Sequence, residues 1–424
     1  MTGVTSAAPR LLSRRLGVAD AVTVGLGAML GAGVFAAFAP AARAAGSGLL
    51  VGLAAAATVA YCNATSSARL AALYPASGGT YVYAGRRLGP FWGYLAGWAF
   101  VVGKTASCAA IALTFASYAA PAHLRLVAAV AVAALTALAA SGVRKSAWAT
   151  RVIVAIVVAV LLAVVVAAAI GPGTSWAKLR PFPGGGAHGV LQAAGLLFFA
   201  FAGYARIATL GEEVREPERT IPRAVTIALA ITVLVYLAVA LAALAAVGAP
   251  GLAATSAPLR AVVDASGAQW LAPAVRVGGA VASLGSLLAL LLGVSRTTLA
   301  MARDRHLPGR LAAVSPAGVP RDAVIAVGAV VLGLALLTDL RAAIGFSSFG
   351  VLGYYGLANA SAATLTAAER RPPRWLPTVG LLGCVVLAVS LPLTSVIAGT
   401  AVLVTGAAVY AARSRRSSRP APSS

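Results

Sequence analysis

Long apolar runs alternate with short polar connectors along the whole chain, and the runs have membrane length. A spanning helix needs roughly 20 apolar residues. On that ruler about twelve spans are predicted, over residues 18–42, 48–70, 90–119, 124–141, 152–170, 190–210, 221–247, 271–302, 323–338, 344–365, 376–391 and 396–412. Most are rich in Ala, Val, Leu and Gly, with many small residues that let helices approach closely. Little functional information is visible in the fourth, seventh, eleventh and twelfth. Two of the runs are interrupted. Residues 25–35 read GLGAMLGAGVF, and residues 198–223 begin as membrane-grade sequence, break at Gly203 and end in a polar hinge. Backbone opened inside a bilayer survives only where it lines a cavity or faces protein. Two Gly-interrupted segments at corresponding positions of two halves point to a transporter's substrate site.

Composition fixes the class. The chain has 424 residues, 60% of them hydrophobic, a mean hydropathy of +0.91 and only 10% charged residues. A soluble domain carries roughly 25%. This is the composition of an all-α polytopic membrane protein. The formal charge of +23 would suit a nucleic-acid binder, but its placement indicates topology instead. Arg43, Arg125, Lys178, Arg180, Arg260, Arg276 and Arg341 fall in one set of loops, and Lys104 falls inside an apolar run. The large remainder gathers at both ends of the chain and in the alternate loops. By the positive-inside rule both termini are expected in the cytoplasm, in a protein of the cytoplasmic membrane that meets anionic lipid. The expected organisation is a cytoplasmic segment over 1–17, one transmembrane domain over 18–412 and a disordered basic tail over 413–424. Arg10, Arg14 and Arg15 before an apolar stretch also fit a signal peptide in outline, but the matching second break favours a retained span.

Chemistry-bearing residues are sparse. Cys62, Cys108 and Cys384 all lie in apolar runs without metal-ligand spacing and read as packing residues. His123, His188 and His306 fall in separate loops. No catalytic constellation, metal site or cofactor motif is visible, so an enzyme is not expected. In the first break, glycines at positions 27, 31 and 33 fit either a helix-packing face or an unwound turn. An unwound turn would free N–H groups that bind a carboxylate with help from the helix dipole. In the second break, Ala200, Phe201, Ala202 and Gly203 would turn opened carbonyls toward the same cavity, where they suit an ammonium group. Three aromatics within four residues (Phe198, Phe199, Phe201) cannot share one helix face, so at least one is packing.

These motifs carry a resemblance. GAMLGAGVF is similar to the first-helix G-x-x-x-G-x-G-[IV]-F of the amino acid–polyamine–organocation superfamily. Residues 198–223 resemble its sixth-helix F-F-A-[FY]-x-G-[FY], followed by E-E-V-x-x-P-x-R-x-[IL]-P. Tyr74 to Gly79, reading YPASGG, and the stretch from Leu292 through Met301, Ala302, Arg303, Asp304, Leu307 and Pro308 match two further signatures in order. The likeness covers nearly the whole chain and is nearest to bacterial permeases of the cationic amino acid transporter-like branch. It implies a leucine-transporter-like fold, with five-helix inverted repeats, broken first and sixth helices and two added helices. It implies alternating-access secondary transport of an amino acid or related amine, coupled to protons or running by exchange. By that likeness Met29, Ala32, Gly33 and Val34 hold the substrate carboxylate. Phe199, Ala200 and Gly203 hold its amino group, and Phe199 or Phe201 acts as an aromatic gate. The alternative is an uncoupled facilitator or a membrane sensor on the same fold. A channel would favour a symmetric pore with repeated polar rings, which two broken helices do not make.

Three positions depart from that pattern. Ala205 stands where many relatives carry an acid. The fifth-helix lysine of some proton-coupled relatives aligns near Val157. Lys104 instead lies in the third helix, which lines the substrate site in this fold, and is expected to contribute to binding or coupling. A charged lysine at that depth costs at least roughly 2.5–3.5 kcal/mol on insertion scales. Either it is glue against opened carbonyls, or it takes up and releases a coupling proton; a charged role disfavours cationic substrates. Glu212 and Glu213, where the sixth helix leaves the membrane, fit a solvated loop or a gate latch paired with arginines in 69–87 or 303–310. Expected partners are the small-molecule substrate, lipid and protons, with no nucleic acid.

Overall fold

A computed structural model of the chain describes residues 16–74, 78–142, 147–208, 210, 213–315, 318–369 and 373–417. Every predicted span is helical, and the described residues contain no strand. The first span is divided into α1 (Val18–Met29), α2 (Ala32–Ala36) and α3 (Phe38–Ala45). It is followed by α4 (Leu49–Leu73), the short α5 (Thr80–Arg87), α6 (Pro90–Ala119), α7 (Leu124–Ala140) and α8 (Ala147–Ile170). The second half opens with another divided span, α9 (Gly186–Phe201) and α10 (Ala205–Ala208). Then come α11 (Pro217–Ala254), α12 (Pro258–Ala265), α13 (Ala272–Arg303), α14 (Arg321–Leu337) and α15 (Leu340–Ala363). The last two spans are α16 (Trp375–Ser390) and α17 (Leu393–Ser417). Each half holds five of the predicted spans and begins with a broken one. An odd number of crossings makes the second half start from the opposite face.

Among the described residues, eight helices are long and apolar enough to cross a bilayer by length and composition alone, while α9 and α16 are shorter apolar helices. α6 is the central pillar, with Gly103 to Thr114 buried without interruption. A helix apolar all round belongs in such a position. Small residues set its closeness to α15. A Cβ built on Gly103 would lie 3.1 Å from the Val351 nitrogen, and one on Gly350 would lie 2.9 Å from the Gly103 Cα. The Ser107 and Ser347 hydroxyls meet at 2.5 Å across this seam. Outward faces carry Leu126, Val130, Leu393, Ile397 and Val404, exposed apolar side chains suited to lipid.

α17 continues to Ser417, so the basic stretch expected to be a disordered tail from 413 is helical at its start. Arginine is a good helix former, and cations at a helix C-terminus complement its dipole. The rest of the tail, residues 1–15 and the centre of the YPASGG motif lie outside the described residues. Arg206 and Arg296, which the charge pattern groups with the loops, stand on α10 and α13.

Among the described residues, both faces carry ties between helix ends. On the face bearing the chain ends, Leu16 pairs with the hinge after α10: its N–H donates to the Glu213 carbonyl at 3.1 Å and its carbonyl accepts from Arg215 N–H at 3.0 Å. Asp20 in the first turn of α1 pairs with Arg151 of α8, and Arg87 of α5 pairs with Glu369. On the opposite face α12 buries Leu259, Val262 and Val263. There the Tyr118 hydroxyl donates to the Phe35 carbonyl at 2.9 Å and accepts from the Leu259 N–H at 3.3 Å.

Candidate substrate site

The two breaks meet in the middle of the bundle. α1 ends at Met29, residues 30 and 31 are non-helical, and the chain restarts at Ala32. The opening therefore lies at Leu30–Gly31, and of the three glycines that fit an unwound turn only Gly31 stands in it. Gly33 is itself helical and serves a different need: a Cβ there would lie 2.6 Å from the Ala200 Cα. Gly203 answers from the other side. A Cβ on it would strike the Ala28 carbonyl and approach the Met29 nitrogen to 2.8 Å. Each break is thus seated on the backbone of the other, and only a residue without a side chain allows that approach.

The opened ends have opposite character. A helix that restarts at Ala32 presents N–H groups with no intrahelical acceptor. A helix that ends at Phe201 presents free carbonyls, and the negative end of its dipole favours a cation. The Ala202 carbonyl takes two donors. Lys104 Nζ donates at 3.2 Å and the Tyr355 hydroxyl at 3.1 Å. Lys104 is only 7% exposed. Between the breaks the Tyr236 hydroxyl reaches the Met29 carbonyl at 2.5 Å and the Ala200 carbonyl at 3.0 Å. Having one proton, it serves one of them at a time or divides it between both. Ser286 of α13 faces the first opening, 3.1 Å by its Cβ from a Cβ built on Gly31, and its buried hydroxyl has no hydrogen-bond partner.

The predicted residues separate into three groups. Met29, Gly33, Ala200, Gly203 and Lys104 come together, with Ala32 and Val34 buried in the restarted helix. The three aromatics diverge, as their spacing requires. Phe198 packs edge-on to Tyr355, with centroids 5.9 Å apart, and Phe201 is fully enclosed against Tyr236 at 5.0 Å. Phe199 is 9% exposed. Glu213 lies apart from this centre, and its contribution to closure is the backbone bond from Leu16. Glu212 lies outside the described residues. Val157, at the position where some relatives place a lysine, is buried in α8.

Two residues of the centre were not legible beforehand. Tyr236 lies in the seventh span, which reads as featureless, and Tyr355 sits among other aromatics of the tenth. Neither has a local motif. Only the sixth-span backbone, arriving from elsewhere in the chain, gives either hydroxyl its task.

The comparisons with known proteins agree with this architecture. The sequence model described as "Amino acid permease" matches residues 16–412. An uncharacterized transporter of Mycobacterium tuberculosis is 64% identical over 96% of this chain and 92% of its own length. A branched-chain amino acid permease of Bacillus subtilis is 26% identical, covering 96% of this chain and 94% of its own. A vacuolar cationic amino acid transporter of Arabidopsis thaliana is 28% identical over 81% of this chain and 62% of its own.

Proposed function

Since this chain belongs to the amino acid permease family, an integral membrane family of small-molecule transporters, we propose that it is a proton-coupled secondary transporter of neutral or acidic amino acids, working by alternating access. The observation that carries the reading is Lys104, held on the opened Ala202 carbonyl where the two breaks meet. The N–H groups of Ala32, Gly33 and Val34 would take the substrate carboxylate, with Met29 shaping the opening. The backbone at Phe199, Ala200 and Gly203 would take the amino group, with Phe199 as the aromatic cover. Enclosure against Tyr236 makes Phe201 a packing residue.

A cationic side chain entering beside Lys104 would meet like charge, which disfavours substrates of the kind named for the Arabidopsis relative. A branched aliphatic side chain, as in the name of the Bacillus relative, meets no such penalty. A protonated Lys104 makes a charge-assisted bond to Ala202; loss of the proton weakens it and leaves that carbonyl to Tyr355. This gives the sixth-span break two arrangements that a proton can bias. Positive charge at the chain ends and on the adjoining loops supports a cytoplasmic location for both termini.

The test is the wild-type protein in proteoliposomes with labelled leucine, glutamate and arginine. Counterflow of leucine or glutamate, accumulation under an imposed inward proton gradient, and its collapse by a protonophore are expected. Counterflow with no gradient-driven accumulation would make the protein an exchanger or an uncoupled facilitator. Binding without counterflow would make it a sensor.

A further inference from the structure

Beyond Ala202 the polar contacts do not stop. Tyr204, just past the second break, lays its ring against Tyr355 with centroids 4.8 Å apart. One turn along α15, the Asn359 amide donates to the Tyr355 carbonyl at 3.0 Å and to Asn63 Oδ1 of α4 at 2.5 Å. Cys384 of α16 donates to the same Asn63 oxygen at 3.4 Å. One turn further along α4 stand Ser66 and Ser67, both buried. Ser66 also lines a crevice of about 10 Å³ with Thr65, Arg69, Leu365 and Arg374, at the face bearing the chain ends. That is room for a single water molecule.

This file is under-bonded along its whole length. Asn359 Oδ1, Ser66 Oγ and Ser67 Oγ are buried and make no close hydrogen bond, and neither do Tyr204 Oη and Asn63 Nδ2, which interact with each other only at longer range. A buried polar atom left unsatisfied costs about 1–3 kcal/mol. Five such atoms in one line are not explained by packing, because Leu or Ala would fill the same places at lower cost. They are explained if the line takes up water, to which each atom offers a donor or an acceptor.

We propose that this file, Tyr355 and Tyr204, then Asn63 and Asn359, then Ser66 and Ser67, is a half-channel that joins Lys104 to the solution at the face bearing the chain ends. The inference rests on the coupling role of Lys104 proposed above. The groups with ionisable protons around the lysine are Cys108 on its own helix, and Tyr355 and Tyr204 beyond Ala202. Asp20, Glu213, Glu216, Glu218, Asp264, Asp304, Asp322, Asp339 and Glu369 all stand at helix ends or in loops. A proton leaving the ammonium passes to water beside Tyr355 and leaves as hydronium through the crevice; the reverse passage returns it. No bond other than N–H and O–H is made or broken, and nothing is oxidised. The asparagines hold the water in place and do not themselves carry the proton.

Accessibility tests the file without any transport. In a protein whose three native cysteines are replaced by serine, Ser66→Cys should react with silver ion, a membrane-impermeant thiol reagent close to water in size. The reaction should occur only when the reagent is added from the face bearing the chain ends. Ala64→Cys, buried on the other side of the same helix, should stay unreactive. Equal protection of both cysteines would overturn the proposal. This readout stands even if the wild-type protein proves insensitive to protonophore, an outcome that would remove only the coupling role of Lys104. In a coupled protein, Asn63→Leu and the milder Ser66→Ala/Ser67→Ala should slow gradient-driven uptake several-fold while leaving counterflow unchanged. Equal loss of both activities, or of neither, would overturn the file as a proton path.

Discussion

In the first broken span the chain restarts at Ala32 and turns N–H groups toward the centre, whereas in the sixth it ends at Phe201 and turns carbonyls there. The two breaks also differ in what holds them. The first is held by Tyr236, a neutral hydroxyl shared between the Met29 and Ala200 carbonyls. The second is held at Ala202 by a neutral hydroxyl together with a buried lysine. One device used twice, starting from opposite faces, yields a donor end and an acceptor end. Only the acceptor end is given a group that can change charge. On the proposed reading a zwitterion would bind between the two ends, and the coupling proton would act through the acceptor end.

The glycines that seat each break on the other offer the strongest way to break this comparison. Gly203→Val drives a side chain into the Ala28 carbonyl, and Gly33→Val drives one into Ala200. The obstacle in both cases is backbone, which cannot rotate aside. Amino acid binding, followed by thermal shift, should fall by at least about 100-fold in both, on the scale of 2.7 kcal/mol or more that core overpacking reaches. Helical circular dichroism and a monodisperse elution profile are expected to persist. Wild-type affinity in Gly33→Val would remove the first break from the site.

The aromatics sharpen the comparison at the next level. Phe199→Ala should weaken transport severely with little change in stability. Phe201→Ala should do the reverse, costing about 3–5 kcal/mol as an enclosed ring is removed. Urea or thermal unfolding in detergent, set beside uptake, separates them. If both variants transport normally, the cover lies elsewhere, and Phe349 or Tyr354 of α15 becomes the place to look.

Tyr236→Phe removes the staple between the breaks and leaves the ring. A buried carbonyl that loses its donor costs about 1–3 kcal/mol, so affinity should fall about ten-fold. Tyr355→Phe leaves Lys104 on Ala202 and should cost less. Equal losses would mean that the two ends are not held differently.

How much of this was legible follows from the same contrast. The spans and the two interruptions are legible in apolar run length and in glycines at short spacing, which are local features, and the family is legible in four motifs that resemble its signatures. Lys104 stood out because charge inside an apolar run is visible without neighbours. Gly33 was legible as important but not for its reason, since a close approach needs the other backbone in place. Tyr236, Tyr355 and the Asn63–Asn359 pair were not legible. A polar residue in a small-residue helix gives no local sign of the carbonyl it will meet. At Glu213, in the hinge expected to be a solvated loop or a gate latch, the structure has a backbone pairing with Leu16, which acid and base spacing cannot indicate.

The smallest effect is expected far from the breaks. Arg87, with the Thr366 N–H and hydroxyl, holds the Glu369 carboxyl down to about 2 from its usual 4.5. A carboxylate with a lowered value stabilises the fold at pH above its ordinary range, and that contribution is lost as pH falls from about 4.5 through about 2. Glu369 lies at the surface, so solvent screens the pair. Glu369→Gln should therefore leave transport near pH 7 unchanged and alter only acid stability, read as a melting temperature that falls less steeply below pH 4.5 than in the wild type.

The most direct measurement is Lys104→Met in proteoliposomes, with counterflow and gradient-driven accumulation recorded on the same preparation. The methionine keeps an unbranched side chain one atom shorter and removes both the proton and the bond to Ala202. The account predicts counterflow at a rate comparable to wild type and no accumulation under an imposed pH gradient. Undiminished gradient-driven accumulation would contradict it, and would leave Lys104 as a structural tie on an opened helix.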